Sequence, residues 1–186
     1  MAPLGAISEA DMVKGFAEQA RALAEGGADG IVVETMMDLA EAKAALQAAR
    51  ESTSLPVAVT LTFNKGPKGY ATMMGVRPER AAAELEKAGA DIIGSNCGAG
   101  IEVMIDLIGV MRSATALPIW CKPNAGLPEL VEGKTVYRET PEMMASRLRA
   151  LVQAGANIVG GCCGTTPAQD RKSVVYRNRV DLGGRR

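Results

Sequence analysis

The sequence predicts an α/β protein built around a parallel β-sheet. Three times, a glycine ends an alanine-rich segment of helical spacing, and a short β-branched run follows after two or three intervening residues, beginning at Ile31, Ile92 and Ile158. Two further short apolar runs follow Leu-Pro pairs, at Val57 and Ile119. Glycine suits the left-handed residue that ends many helices, and a β-branched run suits a strand buried on both faces. Because strands and helices alternate strictly, the strands are expected to be parallel and joined by crossover helices.

Signals at the helix starts place each element along the chain. Ser8 and Asp38 each precede a helical stretch that has an acidic residue three positions on, and Thr140 is followed by a proline. Such residues suit the first helical turn, whose N–H groups lack partners in the helix. The predicted helices cover residues 8–25, 38–51, 78–88, 100–115 and 140–154. The predicted strands cover residues 31–34, 57–62, 92–96, 118–122 and 158–161.

Composition fits one globular domain and narrows the classes of function. The chain has 186 residues, of which 47% are hydrophobic and 3% aromatic, so the core is expected to be aliphatic. A formal net charge of zero gives no reason to expect a nucleic acid or an anionic membrane as a partner. No run approaches the ~20 apolar residues of a membrane span, and no signal peptide is recognised. Four cysteines do not make a disulfide scaffold in a chain of this size, so a reducing, cytoplasmic location is expected.

Polar residues follow the carboxyl ends of the predicted strands. In parallel α/β folds ligands bind at this edge of the sheet, and in (β/α)8 barrels it is the catalytic face. Cys97 follows one strand, and Cys162 and Cys163 follow the last one. Further polar residues at this edge are Glu34, Thr62, Asn64, Asn96, Lys122 and Asn124. We therefore expect the functional site there.

Three of the four cysteines form a candidate metal site. Cys162 and Cys163 are adjacent, and a disulfide between neighbours strains the intervening peptide, whereas both thiolates can bind one soft metal ion such as zinc. Cys97 supplies a third thiolate, and because the sequence has no histidine, a soft-ligand site must be built from cysteine. The alternative is that these are buried, inert thiols. Cys121 is expected to be a packed core thiol.

The motifs around these residues resemble the homocysteine S-methyltransferase family. They are Glu34-Thr35-Met36-Met37-Asp38, Gly94-Ser95-Asn96-Cys97, Pro123-Asn124-Ala125-Gly126-Leu127-Pro128 and Gly160-Gly161-Cys162-Cys163-Gly164-Thr165. The third is most similar to the homocysteine-binding domain of cobalamin-dependent methionine synthase. The resemblance runs from about residue 4 to residue 168. It implies an α/β fold of the (β/α)8 TIM-barrel type in which only about strands four to eight are present.

The resemblance also implies an activity. Cys97, Cys162 and Cys163 would hold Zn2+, and Glu34 would hold the amino group of homocysteine. The zinc-bound homocysteine thiolate would be the nucleophile that accepts a methyl group, giving methionine. The donor is expected to be methylcobalamin, supplied by a corrinoid-binding domain or protein, with S-methylmethionine or betaine as the alternative donors.

Asn96 and Asn124 are two further candidates for substrate binding, and other interpretations stay open for them and for Glu34. Asn96 could orient the backbone around the metal loop instead of touching substrate. Asn124 could belong to a simple turn. Glu34 could be a strand-end carboxylate that accepts hydrogen bonds from loop amides.

Two departures from the family pattern divide the chain. Nothing in the sequence corresponds to the first three strands of the family barrel, so residues 1–168 are interpreted as a partial homocysteine-binding barrel domain. Residues 169–186 form an atypical basic tail that fits the expected eighth helix poorly and is predicted to be disordered. A partial barrel would leave the edges of its outer strands unpaired, which favours self-association. A non-catalytic fragment and a zinc- or thiol-binding protein are therefore the alternative functions.

Overall fold

A parallel sheet with helices between its successive strands forms the described part of the chain, residues 5–172, in this computed structural model. The helices are α1 (Glu9–Glu25), α2 (Leu39–Ser52), α3 (Pro78–Lys87), α4 (Ile101–Arg112) and α5 (Pro141–Gln153). The strands are β1 (Ile31–Met36), β2 (Val57–Leu61), β3 (Asn64–Gly66), β4 (Gly69–Ala71), β5 (Ile92–Asn96), β6 (Ile119–Lys122), β7 (Glu129–Val131), β8 (Lys134–Val136) and β9 (Ile158–Val159). Every predicted helix and strand is confirmed, with ends that differ by at most three residues.

The main sheet has the strand order β1-β2-β5-β6-β9, and each neighbouring pair is parallel. Its last strand is shorter than predicted and ends at Val159, ahead of the two glycines that lead to the double cysteine. Within residues 5–172, β1 and β9 are the outer strands of this sheet. The sequence predicted unpaired edges on the outer strands of a partial barrel, and within the described residues β1 and β9 have such edges.

One face of the sheet packs against the helices and forms an aliphatic core. Strand residues such as Ile93 and Ile119 are fully buried there, together with Leu46 of α2 and Met104 and Ile108 of α4. Cys121 belongs to this core, as predicted, and its burial raises the pKa of the thiol. Burying apolar side chains of this size contributes about 1.5–3 kcal/mol each.

The other face of the sheet carries the polar residues of the candidate site. Successive side chains of a strand point to opposite faces, so Trp120 and Lys122 lie opposite the core residue Cys121. The register pairs Trp120 with Gly94 and Lys122 with Asn96. These four residues therefore share the face that is turned away from the helices.

Two short antiparallel hairpins, β3–β4 and β7–β8, were not predicted from the sequence. They follow β2 and β6, so both extend from the carboxyl edge of the main sheet. Each strand of these hairpins has three residues, too few to show the alternation of apolar and polar positions that marks a strand.

The predicted boundary between residues 168 and 169 falls inside a helical segment of residues 167–172. The rest of the predicted basic tail, residues 173–186, lies outside the described residues. Among the helices of residues 5–172, none combines the length and the apolar character needed to cross a bilayer.

Candidate metal centre

The three predicted cysteine ligands lie together at the carboxyl edge of the sheet. The sulfur of Cys163 is 3.8 Å from the sulfur of Cys97 and 3.9 Å from that of Cys162, and all three sulfurs lie within 4.8 Å of one another. A tetrahedral zinc with metal–sulfur bonds of about 2.3 Å requires its sulfur atoms to be about 3.8 Å apart. The three thiols are free of disulfides. Their spacing and their donor chemistry therefore fit a zinc ion.

A left-handed backbone turn directs Cys97 toward the other cysteines. Cys97 has a φ of 61°, and Gly98 follows with a φ of 73°. The Cys97 N–H donates to the carbonyl of Lys122 (3.2 Å), which ties the turn to the neighbouring strand. A β-carbon on Gly98 would lie 2.9 Å from the Thr62 methyl group, so the turn requires glycine there for both its φ and its space.

The loop that carries Cys162 and Cys163 is fastened to the loop that follows β6. The Cys162 N–H donates to the Pro123 carbonyl (2.8 Å), and the Ala125 N–H donates to the Cys163 carbonyl (2.9 Å). The buried Asn124 side chain accepts from the Cys163 N–H (3.1 Å). Asn124 thus orients the double-cysteine loop. This role differs from both interpretations of the sequence, which were a simple turn and direct contact with the substrate.

Asn96 links the first strand to the cysteine cluster. Its side-chain oxygen accepts from the Thr35 N–H (2.9 Å) and the Thr60 hydroxyl (2.7 Å). Its side-chain nitrogen donates to the Thr35 hydroxyl (2.8 Å) and lies 3.8 Å from the Cys162 sulfur. The Asn96 side chain is fully buried, so its amide is engaged on every side by protein groups, which agrees with an orienting role around the metal loop.

Glu34 lies at an irregular point of β1 and forms an ion pair with Lys122. The register of β1 against β2 shifts between Val33 and Met36, and Thr35 has a φ of 62°, which is rare for a β-branched residue. The Glu34 carboxylate contacts the Lys122 ammonium. The Glu34 side chain is 54% exposed, whereas that of Lys122 is only 9% exposed. Glu34 is therefore accessible from the open face of the sheet, and within residues 5–172 its carboxylate pairs with Lys122 and not with loop amides.

Two residues of the site's surroundings were missed as site residues by sequence reasoning. Lys122 was noted from the sequence only as a polar residue at a strand end. Its position two residues after Trp120 indicates that both side chains lie on the same face of the strand. Tyr137 carried no signal, because it follows the unpredicted hairpin β7–β8. Its ring lies against Gly164, where a β-carbon would be 2.1 Å from the ring. Burial raises the pKa of Tyr137, and the nearby Cys163 raises it further.

The Cys163 thiol resists ionisation in the absence of a cation. The pKa of Cys163 is raised to about 11, first by its contact with the Cys97 thiol and then by burial and by Cys162. Several thiols this close to one another cannot all ionise cheaply, because like charges disfavour each other. A bound divalent cation reverses this balance and deprotonates coordinating thiols. The cluster is thus suited to a metal rather than to three independent thiolates.

Fold and site together define a barrel-type α/β protein with a cluster of three thiols at its carboxyl edge. The chain belongs to the homocysteine S-methyltransferase family, because the sequence model of that family matches residues 1–172. Methionine synthase of Mycobacterium leprae is 33% identical over 174 residues, covering 90% of this chain and 14% of that protein. Methionine synthase of Mycobacterium tuberculosis is 33% identical over 175 residues, covering 91% of this chain and 14% of that protein. The chain thus spans a small part of these relatives.

Solved structures establish the fold type. The apo form of the homocysteine methyltransferase MmuM from Escherichia coli matches with a TM-score of 0.73 at 21% identity, covering 92% of this chain and 58% of that chain. Its metallated form matches with a TM-score of 0.71 at 21% identity, covering 92% of this chain and 53% of that chain. These matches confirm the predicted TIM-barrel type, of which the described residues contain five parallel strands.

Proposed function

We propose that this chain carries the homocysteine site of a methyltransferase and transfers a methyl group to the homocysteine sulfur, giving methionine. The observation that carries the proposal is the convergence of Cys97, Cys162 and Cys163 from two strand ends at the spacing of a tetrahedral thiolate site. Membership of the homocysteine S-methyltransferase family and the similarity to methionine synthases support it.

In this proposal Cys97, Cys162 and Cys163 would hold Zn2+, and the substrate sulfur would be its further ligand. Zinc, when bound, would favour the thiolate form of homocysteine, which is the nucleophilic form. The protein's own contribution is to hold the three sulfur atoms in position. The left-handed turn does this for Cys97, and the Asn124 side chain does it for the Cys163 backbone.

Glu34 is proposed to bind the α-ammonium group of homocysteine. Its carboxylate is half exposed at the same edge as the cysteines, and Asn96 bridges the two through Thr35 and Cys162. Asn96 and Asn124 are proposed to keep these groups in register. Direct contact of either amide with the substrate stays a prediction.

The methyl donor is proposed to be methylcobalamin on a corrinoid-binding domain or protein that docks at the same edge of the sheet. The similarity to methionine synthases supports this donor over S-methylmethionine or betaine. Free thiols at the site favour a reducing compartment, so we propose that the protein works in the cytoplasm.

Metal analysis of the purified chain tests the proposal. We expect about one zinc per chain, lost in Cys162→Ala and retained in the control Cys121→Ala, because Cys121 lies in the core away from the cluster. The zinc-loaded chain should then form methionine from homocysteine and methylcobalamin. A correctly folded chain that binds no zinc would refute the proposal.

A second candidate is a non-catalytic fragment of such an enzyme that binds zinc through its thiols. The observation that favours it is the position of β1 and β9 at open edges of the sheet in the described residues. Such a chain would bind zinc and self-associate through these edges, yet form no methionine. Sedimentation of the zinc-loaded chain, together with the methionine assay, separates the two candidates.

A further inference from the structure

Lys122 is a buried lysine whose hydrogen-bonding capacity is mostly unused. Its side chain is only 9% exposed, and an ammonium group has three N–H donors. Among residues 5–172, its one acceptor is the Glu34 carboxylate, and its other close partner is the Trp120 ring, 4.5 Å away. Burying donors without acceptors costs free energy. The unused donors therefore mark a place where a further acceptor is expected.

A second unused donor lies beside Lys122. The indole nitrogen of Trp120 is buried and has no hydrogen-bond partner within the described residues. Both side chains border Gly160, where a β-carbon would lie 3.2 Å from a methylene of Lys122 and 3.4 Å from the Trp120 nitrogen. A side chain at position 160 would therefore crowd the point where a positive charge and unpaired donors meet, and glycine leaves these groups uncovered. An anionic group is the ligand that such a point suits.

This point adjoins the cysteine cluster. Gly160 is two residues ahead of Cys162 in the chain. On the other side, Thr35 follows Glu34 and is hydrogen-bonded to Asn96, whose amide lies 3.8 Å from the Cys162 sulfur. A ligand whose sulfur lies at the cysteines and whose other end extends along this face would meet Glu34 and Lys122.

We propose that Lys122 binds the α-carboxylate of the amino-acid thiol while Glu34 binds its α-ammonium group, an inference that rests on the function proposed above. The two side chains pair with each other in the free protein. A zwitterionic head group can exchange partners with this pair, because its ammonium pairs with Glu34 and its carboxylate pairs with Lys122. Neither side chain is then left without a counterion. A thiol that lacks the carboxylate cannot complete this exchange. Lys122 thereby makes the site selective for thiols that carry both charges.

Isothermal titration calorimetry on the zinc-loaded full chain tests this assignment with three ligands. They are homocysteine, its decarboxylated analogue and its deaminated analogue. We expect Lys122→Met to weaken homocysteine binding by about 10- to 100-fold, the range for a hydrogen bond to a charged group. The same variant should not weaken binding of the decarboxylated analogue, which has no carboxylate to lose. The control Lys43→Met breaks a lysine–glutamate pair between α2 and α3 and should leave all three affinities unchanged.

The outcomes separate this inference from the proposed function. If Lys122→Met weakens homocysteine and its decarboxylated analogue by the same factor, Lys122 acts through Glu34 and the inference is wrong. If homocysteine binding does not change, it is also wrong, while the proposed function stands. A wild-type chain that binds zinc but no homocysteine overturns both. Should Lys122→Met fail to fold, the wild type decides, because it must bind the decarboxylated analogue at least about tenfold more weakly than homocysteine.

Discussion

Substituting Gly94 by alanine tests how closely strands β5 and β6 must approach to form the site. Gly94 pairs with Trp120 across these strands. A β-carbon at position 94 would lie 1.8 Å from the Trp120 carbonyl oxygen and 2.8 Å from its carbonyl carbon. Both are backbone atoms, so no rotation of a side chain can relieve the contact. The strands would have to separate locally by roughly 1.5 Å to restore ordinary van der Waals distances.

The magnitude follows from this geometry. Overpacking a core side chain typically costs about 1–3 kcal/mol, and here the strain falls on two hydrogen-bonded strands that cannot repack. We therefore expect Gly94→Ala to lower the free energy of unfolding by about 3 kcal/mol or more. The same separation would lengthen the hydrogen bond from the Cys97 N–H to the Lys122 carbonyl, so zinc binding should weaken as well.

Urea unfolding followed by circular dichroism measures the effect against a matched control. Gly109 lies in α4, is exposed, and has open space around a β-carbon. Gly109→Ala should therefore raise the free energy of unfolding by about 0.5–1 kcal/mol, because alanine favours the helix. The two glycine-to-alanine changes thus have opposite expected signs. A Gly94→Ala protein as stable as the wild type would refute the close approach of the strands.

Three further predictions concern single side chains. Asn96→Ala should lower the free energy of unfolding in urea by about 1–3 kcal/mol, since it removes the acceptor of the buried Thr60 hydroxyl and of the Thr35 N–H; a loss under about 0.5 kcal/mol would contradict the network. Burial opposes ionisation of Asp91, but a backbone N–H and Arg50 outweigh it and keep its pKa below the usual range. Its folded pKa is therefore below the unfolded value of about 3.9, so its stabilisation is present above that pH and is lost as the pH falls through the folded pKa. Asp91→Asn should flatten this acid limb in urea titrations between about pH 5 and pH 2, and an unchanged limb would count against the ion pair. Finally, in the native metal-free protein Cys121 should not react with Ellman's reagent, because it is buried with a raised pKa, and it should react once the protein is unfolded. The three cluster thiols should react in the native protein, with Cys163 slowed by its raised pKa, whereas fast reaction of all four would place Cys121 outside the core.

The sequence predicted the main sheet and the cysteine cluster because both depend on local signals and on one general rule. The glycines before Ile31, Ile92 and Ile158 mark helix ends and strand starts without knowledge of the tertiary structure. Because the carboxyl ends of parallel strands meet at one edge, Cys97 and Cys162 could be placed together although they are far apart in the chain.

The remaining features depend on packing that the sequence does not display. The roles of Asn124 and Tyr137 follow from the double-cysteine loop folding back onto the segments after β6 and β8. The Glu34–Lys122 pair joins strands that are not neighbours in the sheet, so no local spacing indicates it. The left-handed turns at Thr35 and Cys97 are also set by tertiary contacts, since neither residue type favours that backbone conformation.

The scarcity of aromatic residues gives the site a built-in optical reporter. Trp120 is the one tryptophan in the sequence, and its ring lies 4.5 Å from the Lys122 ammonium. The emission of an indole responds to nearby charge, so any ligand that neutralises or displaces that ammonium should shift the tryptophan fluorescence of the whole protein. Occupancy of the face that carries Gly94, Asn96 and Lys122 can therefore be followed in unlabelled protein, with no background from a second tryptophan.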